Sequence, residues 1–220
     1  MMSVNVDENV QRQVREIFQH MEKTVTIKLF IDKEKCLTCH DTKAILEMLK
    51  ELAPKDKIEI IEFLKEDNPP EIEEYSVKYY PSTFIEGEAK GKVLFTGIPS
   101  GYEFGTIVEG ILDISNGKVS LKKENLEKIA KINRPMNIKV FVTPTCPYCP
   151  VAVRVAHKIA MANPNVVGEM VEATEFSALS QKFNVMGVPK TVVDDGKVTF
   201  EGGVPEDVFV TKVMEAFNKK

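Results

Sequence analysis

Long apolar runs, an excess of basic charge and abundant cysteine are all missing from this sequence of 220 residues. No stretch approaches the 18 apolar residues that a transmembrane helix needs, and the N-terminal segment lacks the basic flank and apolar core of a secretory signal. A net charge of −4, from 33 acidic and 29 basic residues, offers no basic face for a nucleic acid. We therefore expect a cytoplasmic protein with neither membrane nor nucleic-acid partners.

The cysteines number four and form two CxxC pairs, Cys36 with Cys39 in CLTC and Cys146 with Cys149 in CPYC. Four are too few for a small secreted disulfide scaffold. In a reducing compartment, close pairs of this kind are more often redox or metal sites than permanent staples. Redox exchange and metal binding are therefore the two interpretations to separate.

Metal binding finds little support in the spacing. Structural zinc usually takes four ligands, often from two CxxC pairs roughly 15 to 20 residues apart, whereas Cys39 and Cys146 are 107 residues apart. His157 lies eight residues beyond Cys149, about 12 Å along a helix, and we expect it to bond a carbonyl group or the other half of the chain. Three interpretations of His40, beside Cys39, stay open: it adjusts the redox properties of that pair, it binds an ion, or, as is most usual, it is merely solvated. We expect no metal site, and a zinc-stabilised adaptor is the non-enzymatic alternative.

Each CxxC pair stands where an apolar strand pattern ends and a helical pattern begins. Unpaired amide groups and the macrodipole at a helix start stabilise negative charge. The pKa of the first cysteine should therefore fall below its usual value of about 8.5. The second cysteine, about one turn further in, is expected to be less exposed and to resolve a mixed disulfide. This division of roles favours thiol–disulfide exchange.

The two halves of the sequence repeat one order of elements: strand, CxxC, helix, strand, helix, hairpin, helix, and EFSALSQKF (175–183) is the short helix before the second hairpin. Cys36 precedes Pro81 by 45 residues, and Cys146 precedes Pro189 by 43. A strand–helix–strand crossover pairs its strands in parallel and a hairpin adds an antiparallel pair, so each half should hold a mixed sheet. The predicted segments are an N-terminal helix over 6–22, strands at 24–31, 57–64, 137–143 and 165–173, a hairpin over 79–95, and a second hairpin that turns at Asp195-Gly196.

This pattern resembles the thioredoxin superfamily, and the tandem arrangement is similar to the glutaredoxin-like protein disulfide oxidoreductases of thermophilic archaea and bacteria. CPYC, continued as CPYCPVAVRVAHKIA, resembles the C-terminal unit of that family, and CLTC fits its more variable N-terminal motif. The resemblance implies an α/β fold of two tandem thioredoxin-like domains, each a mixed four-stranded sheet flanked by helices. We place the domains at 1–117 and 118–220. A high Lys and Glu content is compatible with a thermophile.

The resemblance further implies a protein dithiol–disulfide oxidoreductase that reduces, oxidises or isomerises protein disulfides or dithiols. A thioredoxin reductase is the implied electron donor, and no bound cofactor is implied. Main-chain atoms beside the two prolines would pair with an extended substrate. The implied roles are nucleophile for Cys36 and Cys146, resolving thiol for Cys39 and Cys149, and substrate binding for Tyr80, Pro81, Val188 and Pro189, with both prolines cis.

Some positions depart from the family pattern. Thioredoxins bury an aspartate in the strand before CxxC, whereas the comparable positions here are taken as Phe30 and Val140. The proton relay for the resolving cysteines therefore has no obvious carrier; Glu47 is a weak candidate and a solvated helix carboxylate is the simpler interpretation. Lys33 and Lys35 flank only the first motif, so we expect unequal reduction potentials.

Two other enzyme classes share parts of this pattern. A glutathione-dependent glutaredoxin uses the same CPYC motif and would need a groove for the tripeptide. The N-terminal module of an alkyl hydroperoxide reductase is also a tandem thioredoxin fold, but it normally keeps one CxxC pair and continues into a flavoprotein. Because both pairs are present and the sequence stops at Lys220, this second class is not expected.

Overall fold

The computed structural model describes residues 6–219, in which strands and helices follow the predicted order. The strands are β1 (Val25–Ile31), β2 (Ile58–Leu64), β3 (Ser82–Glu86), β4 (Lys92–Thr96), β5 (Met136–Val142), β6 (Val166–Glu172), β7 (Lys190–Val193) and β8 (Val198–Glu201). The helices are α1 (Glu8–Phe18), α2 (Cys39–Leu52), α3 (Glu71–Glu74), α4 (Tyr102–Ser115), α5 (Lys123–Ile129), α6 (Cys149–Ala162), α7 (Ser177–Lys182) and α8 (Glu206–Asn218).

All eight strands belong to one sheet, in the order β2-β1-β3-β4-β6-β5-β7-β8. Each half contributes four neighbouring strands, and β4 pairs in parallel with β6 to join the halves. Only β3 and β7 run against the other strands described. Since β1 and β5 run in the same direction, the segments that follow them emerge at the same edge of the sheet.

The alternation of apolar residues explains why the first strand of each half forms at the centre of its unit. β1 and β5 have the same burial pattern, with alternate residues buried at the start and three consecutive buried residues at the end. α6 is apolar over most of its circumference because it packs on the sheet and also against α4 and α5. Strands and helices thus bury both faces of the carboxyl end of each central strand.

Two glycines permit close packing, Gly91 between the halves and Gly168 within the second half. A Cβ on Gly91 would lie 2.4 Å from the carbonyl oxygens of Asn163 and Val166, and the Gly91 amide donates to Ala160 O at 2.9 Å. A Cβ on Gly168 would meet Ala156 O at 2.6 Å. Side chains would therefore force the β3–β4 turn away from α6 and α6 away from β6.

The predicted strands, both hairpins, and the long helices that follow the two CxxC pairs and the two hairpins are confirmed. The N-terminal helix is shorter than the predicted 6–22, because the Asp7 carboxylate caps it by accepting from Asn9 N at 2.8 Å and the helix ends at Phe18. The short helix predicted before each hairpin is confirmed as α7 in the second half and as the single turn α3 in the first, whereas the 3₁₀ turn Lys65–Asp67 was not predicted.

The prediction of a mixed four-stranded sheet in each half is confirmed, but the fusion of both into one sheet was not anticipated. The proposed boundary between 117 and 118 falls between α4 and α5 and stays a prediction, with residues 1–5 and Lys220 outside the described residues. Within residues 6–219 no helix combines the length and apolarity required to cross a bilayer.

Candidate active site

Both CxxC pairs are intramotif disulfides at the starts of helices. Cys36–Cys39 follows β1 and Cys146–Cys149 follows β5, each with a Cα–Cα distance of 5.5 Å. α2 begins at Cys39 and α6 begins at Cys149. The unpaired amide groups of each helix start therefore lie beside a disulfide, where they stabilise a thiolate after reduction.

The second cysteine of each pair is the more deeply buried, as predicted. Cys39 is 5% exposed while Cys36 is partly exposed, and Cys149 is fully buried while Cys146 is 8% exposed. The first sulfur is thus better placed to meet a partner molecule, and the second to resolve the adduct from inside. This arrangement fits the predicted nucleophile and resolving roles, which stay a prediction.

The loops before the two pairs differ in length and in charge. In the first loop, the Asp32 carboxylate accepts from the amides of Glu34 and Lys35 at 3.0 and 2.9 Å and pairs with Lys65 at 2.5 Å. Its hydrogen bond with Lys65 lowers the pKa of Asp32. The second loop is one residue shorter and uncharged, with Pro144 within it. Only the first pair is preceded in the chain by a charged turn.

The predicted substrate-binding residues lie at the same edge as the cysteines. The Tyr80-Pro81 and Val188-Pro189 bonds are both cis, as the family resemblance implied. Pro81 precedes β3, which pairs antiparallel with β1, and Pro189 precedes β7, which pairs antiparallel with β5. Tyr80 lines a groove of about 430 Å³ together with Cys36. Substrate binding by these four residues stays a prediction.

One comparison made from the sequence needs correction. Phe30 and Val140 each lie six residues before the first cysteine of their pair, but the first loop is one residue longer. Phe30 pairs with Ser82 and packs against Phe63 and Phe84 on the sheet face away from the Cys39 cluster. The structural equivalent of Val140 is Leu29, which is apolar and fully buried, so neither strand supplies a carboxylate.

Glu103 is a buried carboxyl group that the sequence analysis missed. It lies in the first turn of α4, is 1% exposed, and no hydrogen-bond partner reaches its carboxyl oxygens within residues 6–219. Burial raises the pKa of Glu103 to about 7. The start of α4 packs on the loop before Cys146, where Tyr102 N donates to Pro144 O at 3.0 Å. The sequence signal that could have identified Glu103 is its spacing: it lies four residues, about one helical turn, before the buried Ile107.

A second carboxylate, Glu175, comes from the second half and reaches the first CxxC motif. It accepts a hydrogen bond from the Thr38 hydroxyl and another from Ile98 N at 2.7 Å. Burial raises the pKa of Glu175. No local sequence pattern relates Glu175 to Thr38, because 137 residues separate them.

The remaining sequence candidates occupy ordinary structural positions. His157 is buried between the halves, with Nε2 3.3 Å from Leu94 O and its ring against Phe95, which confirms the expected bond to a carbonyl of the other half. Burial lowers the pKa of His157 to about 4. His40 is solvated, and Glu47 is an exposed partner of Lys43 on α2.

Exposed apolar side chains gather around the two motifs. Leu37 and Tyr148 lie inside the motifs and are 97% and 70% exposed, and Met186, in the loop before Pro189, is 92% exposed. The other large exposed apolar residues of the described chain are Tyr102, Val151 and Val208. An apolar surface around a redox pair suits contact with another protein.

Metal coordination by the described residues is not supported by geometry. No group of three or more His, Cys, Asp or Glu side chains between residues 6 and 219 is arranged to hold a metal ion. The arrangement at each motif instead permits reversible dithiol–disulfide chemistry.

Known proteins with the same architecture include disulfide oxidoreductases. A protein disulfide oxidoreductase from Aeropyrum pernix matches with a TM-score of 0.87 and 28% identity, covering 96% of this chain and 93% of that one. The NTD_N/C domain of an alkylhydroperoxide reductase from Enterococcus faecalis matches with a TM-score of 0.83 and 25% identity, covering 97% of this chain and all of that one.

Among curated sequences, an alkyl hydroperoxide reductase of Staphylococcus epidermidis is 33% identical over 125 residues, 56% of this chain and 24% of that protein. The chain spans between 24% and 36% of the length of the curated relatives that it matches over these regions. The family model described as a thioredoxin domain matches twice, over residues 25–109 and 136–215. With both halves matched, the chain belongs to the thioredoxin-domain family, in a tandem form shared with protein disulfide oxidoreductases.

Proposed function

We propose that the protein is a dithiol–disulfide oxidoreductase that acts on other proteins through both CxxC pairs. The observation that carries the proposal is the repeated geometry: each pair closes a disulfide at a helix start on one edge of a shared sheet. Its similarity over nearly the whole length of the Aeropyrum pernix oxidoreductase supports the same activity.

In this proposal, the thiolate of Cys36 or Cys146 attacks one sulfur of a substrate disulfide. A mixed disulfide forms, and the other substrate sulfur leaves as a thiolate that takes up a proton. Cys39 or Cys149 then loses its proton and attacks the mixed disulfide, which releases the second substrate thiol. Two electrons and two protons pass to the substrate, and the CxxC pair becomes a disulfide. The reverse sequence oxidises a substrate dithiol.

We further propose Glu103 as the proton-exchanging group of the second site. It is buried, has a pKa of about 7, and lies in the helix turn that packs on the loop before Cys146. A carboxyl group with a pKa near neutrality both accepts and returns a proton at physiological pH. Neither Leu29 nor Val140 can do so.

The surroundings of the sites support protein partners rather than small thiols. Apolar side chains such as Leu37, Tyr148 and Met186 would contact a polypeptide, and the main chain beside Pro81 and Pro189 would pair with it. We propose that the protein works in the cytoplasm, where CxxC pairs serve for exchange rather than as permanent staples. A thioredoxin reductase is the proposed electron donor.

Dithiothreitol-driven reduction of insulin by metal-free protein tests the proposal. The wild type should be active, Cys36→Ser and Cys146→Ser should each lose the turnover of one site, and the double variant should be inactive. A double variant as active as the wild type would overturn the proposal. Stoichiometric zinc in the protein as purified, with no turnover, would favour the adaptor instead.

A second candidate follows from the similarity to alkyl hydroperoxide reductases, which covers the whole of one such domain. In that role the chain would pass electrons to the disulfide of a peroxide-reducing protein. Peroxide consumption, with dithiothreitol as reductant and a purified peroxide-reducing protein as acceptor, separates the two roles. Dependence on the acceptor combined with failure to reduce insulin would support the second candidate.

A further inference from the structure

The first CxxC site is not built from the first half alone. The loop after β6 of the second half, with Glu175 and Phe176, lies against it. The Thr38 hydroxyl, inside the CLTC motif, donates to one carboxylate oxygen of Glu175. The other oxygen accepts from Ile98 N at 2.7 Å. One carboxylate thus connects the motif of the first half to the loop that follows β4.

Several contacts hold this carboxylate in place. Glu175 N donates to the buried Glu172 carboxylate at 2.6 Å, and the ring of Phe176 packs on Tyr79 with centroids 5.3 Å apart. A Cβ on Gly97 would lie 2.8 Å from Glu175 Oε1. The absence of a side chain at Gly97, in a left-handed conformation at φ 97°, leaves room for the carboxylate.

The position of the carboxylate determines its effect on the thiols. Thr38 is the N-cap residue of α2, and its side chain does not bond the helix amides but donates to Glu175 instead. A negative charge at a helix start competes with a thiolate for the same positive potential. Ionised Glu175 should therefore raise the pKa of the Cys36 thiol and favour the disulfide over the dithiol.

We propose that Glu175, supplied by the second half, is a positioning residue that sets the thiol pKa and the reduction potential of the Cys36–Cys39 pair. Glu175 acts through Thr38 and does not itself enter the exchange. The inference rests on the proposed function in one respect, namely that this pair is an exchange site.

The second site lacks the equivalent contact. Tyr148 occupies the place of Thr38 and is 70% exposed. Gly202 corresponds to Gly97, and a Cβ there would meet no atom of the described chain within 4 Å. The difference makes Cys146–Cys149 an internal control within the same molecule.

The test measures site-resolved potentials in glutathione buffers and the pH dependence of alkylation of the first cysteine. Each site is observed in the full chain with the other pair changed to serine. At pH 8, Glu175→Gln should lower the Cys36 pKa. It should also move the equilibrium with glutathione about tenfold toward the dithiol, or about 30 mV for a two-electron couple. The Cys146–Cys149 potential should not change, and the difference at the first site should shrink as pH falls and Glu175 becomes protonated.

Glu34→Gln is the matched control, since it removes an exposed carboxylate two residues from Cys36. Water and salt screen that charge, so its effect should be much smaller. An unchanged first-site potential in Glu175→Gln, or an equal shift in Glu34→Gln, would overturn the inference. If Glu175→Gln does not fold, Thr38→Val decides, with a smaller shift in the same direction expected. A first-site disulfide that no thiol buffer reduces reversibly would instead count against the proposed function.

Discussion

The two CxxC sites share the same arrangement of strand and helix but differ in the residues that surround them. Each follows the central strand of a four-stranded unit and begins a helix, at the sheet edge where a neighbouring antiparallel strand starts after a cis proline. They emerge at the same sheet edge, four strand spacings apart, or about 19 Å at 4.8 Å per strand. The first site has a charged loop before it and a carboxylate from the second half, whereas the loop before the second site is uncharged.

The difference shows how the two copies of a duplicated unit acquire different electrostatic surroundings while the geometry of the CxxC motif stays the same. Because β4 pairs with β6, the loop after β6 lies beside the first site, and the start of α4 lies beside the loop before Cys146. The second half thus supplies the Glu175 carboxylate to the first site, and the first half places Glu103, the proposed proton-exchanging group, in the helix turn that packs on the loop before Cys146. Joining the halves makes the sites unequal.

The largest effect is expected from removal of the second cysteine of each pair, the proposed resolving thiol. Cys39→Ser and Cys149→Ser should each stop at the mixed disulfide, because no second sulfur is present to release the substrate. Mass spectrometry under non-reducing conditions should show one covalent adduct at Cys36 or at Cys146. Serine at the first cysteine of the same pair is the control and should abolish that adduct. Adducts at only one of the two sites would show that the two pairs do not both carry out the exchange.

A stability effect of the order of 3 kcal/mol is expected at Glu103. The carboxyl holds its proton up to about pH 7 in the fold but loses it near 4.5 when unfolded, so folding takes up a proton between these values. The free energy of unfolding should therefore fall as pH rises through this window, at about 1.4 kcal/mol per pKa unit. Glu103→Gln should remove this slope in urea titrations.

Urea titrations of the Glu103 variant must be read as a difference from the wild type. The pKa of His157 is lowered to about 4 from 6.5, so His157 destabilises the fold as pH falls through that range. Its slope overlaps that of Glu103 with the opposite sign, and the substitution leaves it in place. Glu103→Gln should also change the pH dependence of turnover at the second site and leave the first site unaltered. A change at the first site alone would contradict the assignment.

Paired glycine substitutions should give a smaller and unequal effect. Gly97→Ala and Gly202→Ala both place a side chain in a left-handed conformation, which costs about 1 to 2 kcal/mol. At Gly97 the new methyl also meets Glu172 Cβ at 2.7 Å and Glu175 Oε1 at 2.8 Å, adding about 1 to 3 kcal/mol. Chemical denaturation should rank Gly97→Ala as the more destabilised variant. Equal losses in the free energy of unfolding would show that the loop after β6 moves aside at no energetic cost.

The smallest effects are expected at the exposed apolar residues. Met186→Ala should raise KM for a protein substrate at the second site by roughly fivefold, equivalent to about 1 kcal/mol of lost contact. Leu37→Ala should do the same at the first site. Neither change should alter thermal stability or turnover of a small-molecule disulfide. A fall in kcat with the small disulfide would place these side chains in the exchange machinery instead of the partner surface.

Much of this architecture was predictable because it depends on local pattern. Alternating apolar residues before Cys36 and Cys146 predicted the central strands, and Asp195-Gly196 predicted the second hairpin turn. The equivalence of Phe30 and Val140 failed because a single extra loop residue shifts the alternation, and a shift of one residue reverses the sheet face. Repeat spacing counted from a loop therefore does not establish strand register.

The sequence by itself determined the repeated unit, the two redox pairs and their placement at helix starts, since each depends on contacts between residues close in the chain. Only the tertiary structure decided how the units join, because the β4–β6 pairing and the packing of Gly91 on the second half act between distant segments. It also decided that a carboxylate of the second half lies at the first site. Glu175 and Thr38 are 137 residues apart and meet only because both halves share one sheet.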